Sequence, residues 1–227
     1  MLVSMGTTRT YGEGCAAAHA LDLVGERWAL LIVRELLLGP KRFTDLRAGV
    51  LHASPNVLSQ RLRELEHAGV LFRRRLPPPA ACWVYELTEW GQGLKEIVIA
   101  LGQWGARSPG LAPIEMSVDS HVLALGAMFK PSLAGDMNAR FELRLGDDRF
   151  RVEIADGKID AARGGVEQPD ATITTTPDVL AAVVWHGADL DAALKAGEIE
   201  IEGDADLVAR FVRLFPLPQP VAVEAGV

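Results

Sequence analysis

Cysteine is scarce in this chain. The 227 residues hold two, Cys15 and Cys82. They form no CxxC pair, so neither a disulfide framework nor a zinc ribbon is indicated. Long apolar runs are missing too; no stretch is long enough to span a bilayer. The start, MLVSMGTTRTYGEG, has no apolar core of the kind a secretory signal needs. The expected setting is therefore the cytoplasm, with no membrane insertion. His19, His52, His67, His121 and His186 fall in no HxxxH or HExxH spacing, so no metal is expected. GxSxG, P-loop and Rossmann fingerprints are absent as well. The expectation is a protein that is not an enzyme and carries no cofactor.

Charge is present but unevenly spread. The chain as a whole carries −7, which taken alone argues against nucleic acid. Residues 1–110 hold 13 Lys and Arg against 10 Asp and Glu, a balance of +3; residues 111–227 hold 10 against 20, a balance of −10. Within 41–75 there are eight basic residues (Lys41, Arg42, Arg47, Arg61, Arg63, Arg73, Arg74, Arg75) and three acidic ones. A local basic cluster is what a phosphate footprint requires. The asymmetry also points to two domains with different work.

Residues 54–70, SPNVLSQRLRELEHAGV, read as one helix. Ser54 can cap it, Pro55 sits where a missing N–H costs nothing, and Gly69 supplies a left-handed stop. Leu58, Leu62 and Leu65 make one apolar stripe. The opposite face carries Asn56, Ser59, Gln60, Arg63 and His67. Amides, a hydroxyl and a guanidinium are groups that hydrogen-bond to base edges.

The surrounding pattern gives this helix a place. Residues 16–24 and 27–38 read as helices, the second stopped by Gly39-Pro40, and 44–48 as a short third one. VLFRRRL (70–76) and CWVYELT (82–88) read as a hairpin joined through Pro77-Pro78-Pro79-Ala80-Ala81. A helix is expected from about Glu89 to Ala106. SPGLAPIEM (108–116) reads as a linker and 119–129 as a helix. RFELRL (140–145) and RFRVEI (149–154) alternate strictly around Gly146-Asp147-Asp148, as a hairpin with one wet face does. Further strands are expected at 171–175 and 198–203, with helices at 177–187, 189–196 and 205–215. The last residues read as a frayed tail.

Helix, helix, short helix, two-faced helix, hairpin, helix is the order of a winged helix-turn-helix, with the fourth helix in the major groove. On that reading Asn56, Ser59, Gln60 and Arg63 reach bases. Lys41, Arg42, Thr44, Ser54, Arg73, Arg74 and Arg75 meet phosphates, which position without specifying.

Over residues 14–106 the chain resembles the HxlR family of bacterial regulators, relatives of MarR. The resemblance is carried by Cys15, Ala-Leu-Asp-Leu-Val-Gly-Glu-Arg-Trp (20–28), Leu-Leu-Ile-Val-Arg-Glu-Leu (30–36), Gly-Pro-Lys-Arg-Phe-Thr-Asp-Leu (39–46), Ser-Pro-Asn-Val-Leu-Ser-Gln-Arg-Leu-Arg-Glu-Leu (54–65), Tyr-Glu-Leu-Thr (85–88) and Trp104-Gly105. It implies a DNA-binding homodimer, built with the terminal helices, on a roughly palindromic double-stranded operator. The wing tip, Ala80-Ala81-Cys82, lacks the basic residue the family often has there, and Ala16 stands where the family has Pro. The family also includes thiol sensors with a cysteine at the position of Cys15. A thiol at a helix N-terminus has its thiolate favoured by the backbone dipole, so Cys15 is a candidate redox residue.

Residues 119–216 are similar to the sterol-carrier-protein fold. The matching residues are Phe141 to Ile154, Pro169-Asp170-Ala171-Thr172-Ile173-Thr174, Gly187, Ala-Ala-Leu-Lys-Ala-Gly (192–197) and Ile199-Glu200-Ile201-Glu202-Gly203-Asp204. The similarity implies a curved sheet covered by helices around an apolar tunnel, with Trp185, Leu207, Phe211 and Phe215 as lining for a small lipid-like ligand. The expected fold class is α+β. A winged helix-turn-helix domain (1–107) is followed by a linker (108–118), a sterol-carrier-like ligand domain (119–216) and a tail (217–227). Two other readings stay open: a redox switch at Cys15 with a purely structural second domain, and a lipid carrier whose winged domain is an interaction module.

Overall fold

The computed structural model describes residues 10–111 and 115–222. Parts of the expected linker (112–114) and tail (223–227) lie outside the described residues. The chain divides into two compact units, 1–94 and 95–227.

The first unit opens with α1 (Ala16–Val24) and α2 (Ala29–Leu36). Between them Trp28 turns the chain with φ +80°, a left-handed conformation that bulky residues seldom adopt. Short α3 (Phe43–Gly49) leads to α4 (Pro55–His67). Here the local signals act as expected. The Ser54 hydroxyl accepts from Val57 N at 3.4 Å, and Gly69 takes φ +74°. Leu58, Leu62 and Leu65 are each at most 1 % exposed and join Ile32, Val33, Leu36 and Leu46 in the core. The hairpin β1 (Leu71–Arg75) and β2 (Trp83–Leu87) follows, in register Leu71↔Leu87 through Arg75↔Trp83. Lys41 adds a bridge to its outer strand, exchanging backbone hydrogen bonds with Tyr85 at 3.0 and 2.8 Å.

The base of the hairpin is tied to the end of α4. Thr88 Oγ1 donates to the Gly69 and Val70 carbonyls and accepts from Gly91 N. A Cβ on Gly91 would come within 2.0 Å of the Val70 carbonyl oxygen, so only glycine fits. The helix expected from 89 to 106 is accordingly broken into α5 (Glu89–Gln92) and α6 (Lys95–Gly105).

Helix α6 belongs to the second unit, where it lies beside α7 (Val118–Met128). Gln103 Nε2 donates to the Ala127 carbonyl at 2.9 Å. After α8 (Pro131–Ala134) come β3 (Ala139–Leu145), β4 (Asp148–Ala155), β5 (Lys158–Arg163), β6 (Ala171–Thr175), α9 (Pro177–Trp185), α10 (Leu190–Lys195), β7 (Glu200–Gly203) and α11 (Ala205–Phe211). The strands form one sheet in the order β5-β4-β3-β6-β7, with only β3 and β6 parallel. Alternation sorts the two faces. Phe141, Leu143, Phe150, Val152, Ile154 and Ile173 are buried on one. The other carries Arg140, Glu142, Arg144, Arg149, Arg151 and Glu153.

Strand β5 and helix α8 were not expected. The sequence KIDAAR has no clean alternation, and β5 is a half-buried edge strand. Its signal lay just before it: Asp156 and Gly157 have φ +51° and +68°, the pair of left-handed residues that closes a two-residue hairpin. Two carboxylates pin this unit. Asp119, 1 % exposed, grips Arg163 together with Asp148. Glu142, 4 % exposed, accepts from Val166 N at 2.9 Å and Arg144 Nε at 2.6 Å. The Val166 N–H, followed by the Arg144 hydrogen bond, holds the Glu142 carboxyl below its ordinary value.

Candidate nucleic-acid interface

The outward face of α4 is the feature around which the first unit is organised. Asn56, Gln60 and Arg63 are exposed and Ser59 is half-buried. The leucine stripe fixes this orientation, because rotating α4 would carry three leucines into water. Arg63 meets no carboxylate within ion-pair reach among the described residues. Gln60 is steered by its own helix: its Nε2 donates to Glu64 Oε1 at 2.9 Å.

The expected phosphate contacts divide into two groups. Arg42, Thr44, Ser54, Arg73 and Arg75 are exposed. Arg42 Nε lies 3.1 Å from Cys82 Sγ, and Thr44 Oγ1 donates to Asp45 at 3.1 Å. Ser54 serves as the cap described above. The strand register puts Arg73 and Arg75 on one face of the hairpin, beside Tyr85 and Trp83. The Arg73 guanidinium stacks over Trp83, 4.6 Å from the ring centre. Arg74 points to the opposite face and pairs with Glu86.

Lys41 corrects the expectation from sequence. It is 5 % exposed, and its Nζ is 2.6 Å from Glu35 Oε2. Glu35 is itself fully buried on α2 and also bonded to Arg34 at 3.0 Å. Lys41 is thus part of the interior and is not presented to phosphate.

The four residues of the expected ligand pocket fall in different surroundings. Phe211 and Phe215 are fully buried. Phe211 packs on Phe141 at 4.4 Å and on Phe215 at 5.0 Å between ring centres. Their rings pack against one another in tilted and edge-on arrangements. Trp185 sits apart from this cluster, stacked on His121 at 6.4 Å, and Leu207 is half-buried on α11. The Trp185 indole N–H is buried without a hydrogen-bond partner among the described residues. An open cleft of about 360 Å³ lies in the first unit, lined by Thr10, Tyr11, Leu21, Asp22, Gly25 and Glu26. Cys15 is exposed at the N-cap of α1. The backbone N–H groups of Ala18 and then Ala17 lower its thiol below the ordinary value. Among the described residues no group of three or more His, Cys, Asp or Glu could hold a metal ion.

Arg61 was counted in the basic cluster from sequence and given no partner. It is mostly buried and bonded to Glu64 on its own helix and to Glu26 Oε2 at 3.1 Å. The signal was a basic residue on the flank of the leucine stripe, within reach of the turn between α1 and α2.

A recognition helix with a polar outer face, a helix lying before it and a basic hairpin behind it define a winged helix-turn-helix. The comparisons agree. The HxlR-like helix-turn-helix model matches residues 23–110. The HTH-type transcriptional regulator YvaP of Bacillus subtilis is 39 % identical over 85 residues, 37 % of this chain and 79 % of that protein. The HTH-type transcriptional regulator YodB of the same organism is 35 % identical over 85 residues, 37 % of this chain and 76 % of that one. Among solved structures, the redox regulator HypR in its oxidized form is similar at 29 % identity with a TM-score of 0.40, over 43 % of this chain and all of that one. The chain belongs to the HxlR-like family of DNA-binding helix-turn-helix transcriptional regulators. Residues 113–221 match the alkyl sulfatase C-terminal model, in place of the sterol-carrier family that their sequence suggested. No helix of the described residues is long and apolar enough to cross a membrane.

Proposed function

We propose that the protein is a homodimeric regulator that reads a roughly palindromic operator through α4 of each protomer. One observation carries this reading: Asn56, Gln60 and Arg63 stand exposed on a helix whose other face is three buried leucines. Arg42, Thr44, Ser54, Arg73 and Arg75 flank that helix in sequence as phosphate contacts, and Arg74 contributes less because Glu86 neutralises it. The test is binding of the full chain to its own upstream DNA at two salt concentrations, with and without a lipid extract. Selective binding that weakens with salt is expected. Equal binding to unrelated DNA would overturn the reading. The extract arm tests a ligand response in the second unit, where a guest beside Trp185 would satisfy the buried indole N–H.

The dimer is supported by α6. Ile97, Leu101 and Trp104 recur at helical spacing and are 54, 50 and 76 % exposed. A bare apolar stripe of this kind marks a protein contact. Trp104→Glu places a charge in that contact. Sedimentation should then show a monomer, and operator affinity should fall by at least about tenfold as the two half-sites are no longer bound together. An unchanged dimer would exclude α6 from the interface.

A second reading has its own observation. Cys15 is exposed and its thiolate is favoured by α1, the environment of an oxidisable cysteine. If Cys15 is a redox switch, peroxide weakens operator binding in the parent and not in Cys15→Ser. The same response in both proteins rules it out.

A further inference from the structure

We infer that Glu64 is a positioning residue for base reading. It holds the Gln60 amide in the orientation that selects a base pair, and Arg61 anchors Glu64 in turn. The inference rests on the DNA-reading role of α4 proposed above. Glu64 is exposed one turn from Gln60 within the basic stretch 41–75, where a carboxylate works against phosphate binding. Its contacts indicate what it does there. One oxygen, Oε1, accepts from Gln60 Nε2 at 2.9 Å. The other, Oε2, is bonded to Arg61, whose second terminal nitrogen reaches Glu26 Oε2 at 3.1 Å. Both oxygens are thereby assigned, and the carboxylate is fixed from two sides. Arg61 is held by the same bonds and by its packing: its side chain is 16 % exposed, and its two terminal nitrogens are each bonded to a carboxylate.

The consequence for Gln60 follows from its atoms. A primary amide has two N–H donors and one carbonyl acceptor. Glu64 takes one donor. The remaining N–H and the carbonyl are the two groups that pair with adenine N7 and N6 in the major groove. A free glutamine on a helix surface samples many rotamers and can swap its donor and acceptor ends; one tied to a fixed carboxylate cannot. The row Glu26–Arg61–Glu64–Gln60 thus runs from the turn between α1 and α2 to the reading face. A helix-stabilising surface pair needs only Arg61 and Glu64. It does not need the amide, nor a second carboxylate from another element.

The experiment compares the parent with Gln60→Ala, Glu64→Ala, Glu64→Gln and the double variant Gln60→Ala/Glu64→Ala. Each full-length protein is bound to the operator, to single-base substitutions of it and to unrelated DNA. Melting temperature is read in parallel. Glu64→Ala is expected to lose about tenfold in discrimination at the base pair that Gln60→Ala affects. Its affinity for unrelated DNA should hold or rise, because a negative charge has gone. Glu64→Gln keeps an acceptor for the amide and should retain most of the discrimination. The double variant should be no less selective than Gln60→Ala alone, because the two residues act as one unit. Full discrimination in Glu64→Ala, or additive losses in the double variant, would overturn the inference while leaving base reading by Gln60 intact. If Gln60→Ala itself changes no base preference, the underlying role of Gln60 fails, and the inference with it.

Discussion

Arg63→Ala lowers operator affinity by roughly ten- to hundredfold, the range expected for one bidentate contact to a base edge, and leaves the melting temperature where it was. Both halves follow from its place on α4. Arg63 is exposed on the face opposite the buried leucines, so no packing is lost when it is shortened. It meets no carboxylate among the described residues, so no fold-stabilising ion pair is lost either. In the proposed dimer two copies meet two half-sites, which puts the expected effect toward the upper end of the range. The loss is concentrated on one base pair per half-site; affinity for unrelated DNA falls by no more than one charge's share of the salt-dependent attraction. Arg42→Ala is the contrast: a phosphate contact weakens all sequences alike. A fluorescence-anisotropy titration over single-base operator variants separates the two. An Arg63→Ala protein that weakened on every sequence equally would place Arg63 among the phosphate contacts.

Glu35→Ala has the largest expected effect on stability, about 3–5 kcal/mol. Glu35 is fully buried, Lys41 nearly so, and their charged atoms are 2.6 Å apart. Removing the carboxylate takes away a counter-charge 2.6 Å from an ammonium in the interior. The transition of the first unit should move down by at least about 10 °C. Gly49→Ala reaches the same place from the other side. Its new Cβ would fall 2.1 Å from Glu35 Oε2, and that oxygen has little freedom to retreat because Lys41 and Arg34 hold the carboxylate. Crowding of this kind typically costs about 1–3 kcal/mol. Calorimetry measures both. A Glu35→Ala chain that melts with the parent would show that the buried pair adds nothing.

The readable parts of the sequence were those decided locally. The ends of α4 were set by Ser54, Pro55 and Gly69, each acting within a turn of itself, and the wing strands appeared within a residue of their expected places. The misreadings were decided by residues distant in sequence or by packing. Lys41 follows Gly39-Pro40 and looks like a surface lysine; its burial depends on Glu35, a lone carboxylate in a run of leucines. That carboxylate was the available clue. Phe211 and Phe215 could not be assigned to core or to a ligand wall from the sequence, because both use the same side chains; the ring contacts of Phe211 with Phe141 and of Phe215 with Phe129 join residues far apart in the chain. The exposure of Gln60 and Arg63 was legible because a helix wheel shows it. The anchoring of Arg61 was not, because its partner Glu26 belongs to the turn between two other helices.

The Thr88 knot between the end of α4 and the base of the hairpin has a thermodynamic consequence. Its hydroxyl bonds two carbonyls at the end of α4, and Gly91 presses against one of them. Helix and wing therefore arrive at DNA already aligned. The conformational entropy of setting one against the other is lost on folding and does not weaken the complex. A reading head preorganised in this way also leaves an effector little to melt. In the proposed dimer, a signal that lowers DNA affinity would have to displace one intact head against its twin, which makes regulation a matter of spacing between rigid bodies rather than of order and disorder within one.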